Sequence, residues 1–102
     1  MAEHISSFYG KAKPGRRQAI IEQMNKWDQE QKPRAKGFIR SIIYFSNDSP
    51  DVFAGVVRWD NTENYVANAN RPEQDAWYQE LMQNVDGEIS WFDATLAGEW
   101  KA

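Results

Sequence analysis

The 102-residue chain contains no cysteine and a single histidine, His4. The first absence excludes disulfides, thiolate nucleophiles, Cys-ligated zinc and iron–sulfur clusters. The second leaves one imidazole for any ligand set, and one histidine with scattered carboxylates is not the usual way to hold a metal. No metal site is therefore expected. No apolar run approaches the roughly 20 residues that cross a bilayer as a helix. Met1-Ala2-Glu3-His4 opens without the charged and then apolar pattern of a signal peptide. A cytoplasmic protein without a membrane segment is the default expectation. Mean hydropathy is low, −0.79, yet aromatics make up 14% of the chain and include five Trp. That content separates it from disordered sequences, and the length fits a single domain over residues 1–102. A chain this short buries a modest fraction of its surface, so association would help it.

Charge is unevenly spread. Residues 1–40 hold nine of the twelve Lys and Arg and four acids, while the rest holds three basic residues and eleven acids, giving +5 and −8. Lys11, Lys13, Arg16, Arg17, Lys32, Arg34, Lys36 and Arg40 could be read as a nucleic-acid footprint. With a pI near 5.1, two elements with complementary solvated faces explain them better, and no nucleic-acid partner is expected.

The densest information lies between Trp59 and Leu81. An apolar strand pattern ends at Val56-Val57-Arg58-Trp59, an amide-rich helical pattern follows, Arg71-Pro72 breaks it, and a second helix carries the adjacent pair Trp77-Tyr78. Around this segment, residues 4–9 read as a first strand and Pro14 to Gln31 as a helix. The helix has Ile20, Met24 and Trp27 on one stripe, widened by Ile21. Residues 38–45 and 52–59 read as two further strands joined by the turn formers Ser46 to Asp51. In the first of these, strict alternation puts Phe38, Arg40, Ile42 and Tyr44 on one face. Asp60, with Glu63 three residues on, has the form of a capping box, and Asn70-Arg71-Pro72-Glu73 repeats it. The broken helix presents Trp77, Tyr78, Leu81, Met82 and Val85 on an apolar side. Glu88 to Leu96 reads as the last strand.

The order is β-α-β-β-α-β, a ferredoxin-like α+β arrangement of a four-stranded antiparallel sheet with two helices on one face. The strands are apolar on both faces. A monomer would leave one face wet, where apolar and polar residues should alternate. A homodimer paired sheet to sheet through a two-fold axis would cover it.

The layout, through Gly37 to Ser41, Val56 to Asp60 and Pro72 to Tyr78, resembles the dimeric α/β-barrel superfamily, specifically its antibiotic-biosynthesis-monooxygenase-like domains. The resemblance spans nearly the whole chain. It implies a homodimeric barrel with a pocket between sheet and helices in each subunit, and a monooxygenase that oxidises a phenol or quinol without flavin or metal. The haem-degrading branch of that superfamily uses a first-strand Asn and a Trp and a His on the second helix. Here Ser6 and Ser7 stand on the first strand, and Asn68 and Tyr78 fall near the helix positions, so the resemblance does not extend to haem degradation. The alternative is a non-catalytic or stress-related relative that binds a small molecule or acts through its dimer surface.

Candidate residues follow from chemistry as well as from the resemblance. His4 carries an imidazole, a group of the kind that suits a general base for a phenol; equally, it reads as a terminal histidine facing solvent. Trp77 and Tyr78 suit a flat ligand by stacking, and the Tyr78 hydroxyl can hydrogen-bond; Trp77 also fits plain core packing with Leu81 and Val85. Trp59 and Trp91 read as strand aromatics at a dimer interface, with Trp91 also a candidate ligand contact. Arg40 and Arg58 interrupt apolar strand faces and call for a ligand carboxylate or an acid, for which Asp93 is the first partner to examine. Among Asn61, Asn64, Asn68 and Asn70, one amide can face a developing oxyanion, while the others serve as caps and solvated positions.

Overall fold

The computed structural model describes residues 2–102; Met1 lies outside them. The chain runs β1 (His4–Lys11), α1 (Arg17–Glu30), a 3-10 turn (Lys32–Arg34), β2 (Phe38–Phe45), β3 (Val52–Trp59), α2 (Thr62–Ala69), α3 (Pro72–Met82) and β4 (Ser90–Thr95). The sheet is antiparallel throughout, in the order β2-β3-β1-β4. This is the ferredoxin-like α+β fold expected from the sequence, with the second helix divided where Pro72 cannot continue it.

Alternation along the strands decides which side faces the helices. His4, Ser6 and Phe8 are buried while Tyr9 and Lys11 are exposed, and Phe53, Gly55 and Trp59 form the matching buried set on β3. Phe8 and Phe53 pack with Ile20 of α1, with Trp77 and Leu81 of α3, and with Ala12, Val85 and Ile89 in one core. Among the described residues, no helix covers the other face of the sheet. It carries Tyr9, Ile42, Tyr44 and Phe92, which are 59%, 45%, 54% and 69% exposed.

Three local expectations are corrected. Strict alternation in β2 fails at its start: Phe38 pairs with Trp59 but Arg40 pairs with Arg58, so Ile39 is an extra residue, a bulge. The bulge moves Phe38 to the helix side, where its ring lies 4.8 Å from that of Trp27 and 5.6 Å from that of Trp59. The α2 cap is Asn61, whose side chain accepts from the Asn64 backbone N–H at 2.8 Å, rather than Asp60. Asp60 is still held to the strand through its N–H to the Gly37 carbonyl, so the helix starts one residue later. Nor does a side chain cap α3: Arg71 occupies that position, and Pro72 supplies a helical φ instead.

The β1–β3 crossing leaves no room for a side chain at Gly55, where a Cβ would meet the Phe8 ring and the Ile42 carbonyl oxygen. Gly55→Ala should therefore destabilise the protein by roughly 1–3 kcal/mol, the usual cost of overpacking a core. Urea denaturation checks this as a lower midpoint at unchanged slope.

Candidate functional site

Between the helix-facing side of the sheet and the helices lies a cavity of about 740 Å³. Its wall is largely aromatic: Phe8, Trp27, Phe38, Trp59, Tyr65, Trp77, Tyr78 and Trp91 border it, with Ser6 and Asn68 among the polar groups. The aromatic rings come from every layer of the fold, so the space is set by packing rather than by one loop. Trp77 is fixed by donating its indole N–H to the Gln23 carbonyl at 2.8 Å, and Trp27 by donating to Gln74 Oε1 at 2.7 Å. The Trp91 indole donates to the Tyr78 hydroxyl at 3.0 Å, linking β4 to α3. Trp59 differs: among the described residues its Nε1 is the buried side-chain donor without a partner.

A polar cluster sits beside this aromatic wall, where β1, β4 and the start of α2 meet. His4 is 4% exposed. Its Nδ1 lies 3.1 Å from Thr62 Oγ1, and its Nε2 lies 3.0 Å from Ser6 Oγ and 3.3 Å from Asp93 Oδ1. Ser6 donates to Asp93 Oδ1 at 2.6 Å. The Tyr65 ring stacks on the imidazole at 4.1 Å and 15°. Burial raises the Tyr65 hydroxyl above the ordinary phenol range, opposed by hydrogen bonding with Ser6 and assisted by Asp93, so it stays protonated. Burial also works against the charge on Asp93, but hydrogen bonds from Ser6, His4 and Tyr65 outweigh it and hold the carboxyl below its usual value.

The residues singled out in the sequence divide into two groups. Asn68, Trp77, Tyr78 and Trp91 border the cavity, and Arg40 borders it as an exposed residue at the rim. Asn68 is buried, and its Oδ1 accepts from Arg71 Nε at 3.2 Å. Arg58 does not reach the cavity. Its register places it on the open face, where it pairs with Glu3 at 2.7 Å and Glu99 at 2.6 Å instead of with Asp93. Asp93 lies on the helix side, and its partners are Ser6 and His4. Nor is His4 a terminal group facing solvent; it lies behind Ser6 and Tyr65, which border the cavity while His4 does not. Trp59 and Trp91 are on the helix side, not on the open face.

Ser6, Thr62 and Tyr65 were not singled out as site residues. Period two puts Ser6 on the same strand face as His4, and Tyr65 lies one helical turn before Asn68. Both signals are in the sequence. Pairing them with Asp93 needs the β1–β4 register, in which Ser6 lies opposite Asp93.

No protein-family model matches the sequence, and no curated protein matches it. Solved structures do. A conserved protein from Methanosarcina mazei Go1 superposes with a TM-score of 0.80 at 14% identity, covering 92% of each chain. A candidate antibiotic biosynthesis monooxygenase from Nitrosomonas europaea gives 0.79 at 17% identity over 94% of this chain and 91% of that one. SnoaB, a cofactor-independent oxygenase from Streptomyces nogalater, gives 0.78 at 11% identity over 97% of each. The chain thus has the fold of antibiotic-biosynthesis-monooxygenase-like proteins.

The cluster has a signature in acid. Asp93 titrates lower in the folded protein than its reference value of 3.8, so its stabilising contribution is complete above that value and is lost as pH falls through the lower, folded one. The stability difference between wild type and Asp93→Asn should hold steady from neutral pH to about pH 5 and shrink below about pH 4. Urea denaturation across that range measures it. The side chain is 47% exposed, so solvent screens the effect and it should be modest.

Proposed function

We propose that the protein is a cofactor-independent monooxygenase that oxidises a small aromatic substrate, a phenol or quinol, inside the cavity between helices and sheet. The observation that carries this reading is the aromatic cavity with polar Ser6, Tyr65 and Asn68 at its wall. Flat apolar rings stack on such a wall, and a few convergent polar groups orient them. The likeness in fold to SnoaB, a cofactor-independent oxygenase, supports the reaction type; fold alone does not fix it.

In such a reaction the substrate supplies the electrons and molecular oxygen takes them. The protein's part is to hold the ring, settle the protonation of its hydroxyl and exclude water. Tyr78 is the candidate catalytic hydroxyl on the α3 side, with Trp77 and Trp91 as stacking walls, Asn68 as an amide contact and Arg40 at the rim. His4 acts from behind Ser6 as a positioning residue.

Oxygen uptake across a panel of quinols and phenols tests the reading, with turnover expected in the absence of added flavin or metal. Tyr78→Phe should lower the rate about tenfold, the worth of one hydrogen bond to the reacting oxygen. Binding of aromatics with no uptake across the panel would instead mark a non-catalytic binding protein.

The open face of the sheet fits a second copy of the chain. Its exposed Tyr9, Ile42, Tyr44 and Phe92 form an apolar surface of a kind that monomers rarely leave uncovered. The homodimer should appear in light scattering as twice the 11.9 kDa chain mass. Phe92→Glu combined with Tyr44→Glu should yield monomers by placing charge in a desolvated interface.

A further inference from the structure

We propose that Arg71 is a positioning residue of the cavity. With Gln31 it fixes the Asn68 amide so that the N–H2 group, rather than the oxygen, meets the ligand, and the group received there is an anionic oxygen, a phenolate or enolate. The assignment rests on the reading of the cavity as a site for flat aromatic molecules.

The break between the two helices sets this up. Pro72 cannot continue α2, and Arg71 before it is extended, with φ −76° and ψ 132°. The Arg71 backbone N–H donates to the Asn68 carbonyl at 3.1 Å. Its side chain turns back onto the same residue, where Nε donates to Asn68 Oδ1 at 3.2 Å. Another N–H of the guanidinium donates to Gln31 Oε1 at 2.9 Å. Gln31 closes α1 and is 8% exposed, so the guanidinium is held between two fixed amides. A guanidinium only donates. The Asn68 atom that meets it is therefore the oxygen, and the N–H2 group points the other way. Asn68 is 6% exposed and borders the cavity. Among the described residues no acceptor meets its Nδ2, and that atom is not sealed in as Trp59 Nε1 is. Such a donor, on a buried side chain, is one that the occupant of the cavity must satisfy.

The charge behind the amide decides which acceptor suits it. The Arg71 side chain is 19% exposed, and its carboxylate neighbour, Glu73, is 3.6 Å away and 53% exposed. Its closer partners are the two neutral amides. A cation on the oxygen polarises the Asn68 amide and strengthens its N–H donors. Hydrogen bonds to an ionised acceptor are about twice as strong as neutral ones. The charged residues at the cavity rim, Asp28, Lys32, Arg40 and Asp75, are all exposed, and Asp28 is paired with Lys32 at 2.8 Å. Asp93 does not border the cavity. The charge that stands behind the Asn68 amide is thus positive. An electron leaves a phenolate more readily than a phenol, so an amide that holds the anion serves the oxidation. The proton goes to bulk water on binding.

The test follows the ionisation of a bound phenol on the full-length protein by ultraviolet absorbance. The probe is 2,4,5-trichlorophenol, which ionises near neutral pH; its methyl ether is the neutral control. Wild type should bind the anion. Asn68→Ala should raise the apparent pKa of the bound phenol by about one pH unit, a tenfold weaker hold on the anion, and change ether binding by less than about twofold. Asn68→Asp keeps the shape and the contact with Arg71 but offers oxygen in place of N–H2. It should abolish anion binding and leave the ether bound, which keeps the test decisive if the alanine variant fails to fold. Arg71→Ala should also raise the bound pKa, and Arg71→Lys, which keeps a charge and an N–H donor, should recover part of the loss. A purely structural role would weaken phenol and ether alike. Unchanged ionisation of the bound phenol in both Asn68 variants overturns the assignment and leaves the aromatic cavity standing. A change in the Asn68 variants with none in Arg71→Ala overturns the role of Arg71. Binding of neither phenol nor ether by wild type overturns the cavity reading as well. Anion binding that depends on Asn68 and Arg71, without oxygen uptake from any quinol, upholds the assignment and removes the enzyme reading.

Discussion

Burying the only imidazole of the chain is the constraint around which this end of the molecule is arranged. A ring that is 4% exposed must have partners on both nitrogens or forfeit the hydration it gives up. The partners come from three elements: Ser6 beside it on β1, Asp93 on β4 and Thr62 in the first turn of α2. Tyr65 closes over its face one turn later. These contacts pin the start of α2 to the β1–β4 side of the sheet. From there the helix must carry Asn68 and the break at Pro72 across the cavity, and α3 returns against α1 through Trp77 and Gln23. The cavity is the space left beneath that path.

The fold was largely legible because its signals are local. Strand period, the Pro72 break and the turn formers each act over a few residues, and they gave the element order and the apolar open face. The Phe38 register was not legible, because the bulge at Ile39 exists only in the pairing of β2 with β3. Arg58 was misplaced for a related reason. It does interrupt an apolar face, but the acids that meet it, Glu3 and Glu99, come from opposite ends of the chain. The candidate site was half legible. Aromatics on helical and strand periods pointed to Trp77, Tyr78 and Trp91. The His4–Asp93 pairing joins residues near the two termini, and nothing in either local sequence announces it.

The chemistry is separate from the fold. Structural relatives at 11–17% identity share an architecture and leave side chains free to differ, so function here is argued from the cavity. Its aromatic wall has the shape and chemistry that suit flat rings. At the polar end, the Asp93 carboxylate accepts from Ser6 and lies beside His4 Nε2.

The directionality of the cluster can be read directly, since a single histidine gives a single imidazole in nitrogen-15 NMR. At neutral pH the two ring nitrogens should show a fixed tautomer, with Nε2 protonated and Nδ1 accepting, and the pattern should change in Thr62→Val and Asp93→Asn. A ring that averages between tautomers as a solvated histidine does, or one that carries its proton on Nδ1, would contradict the account.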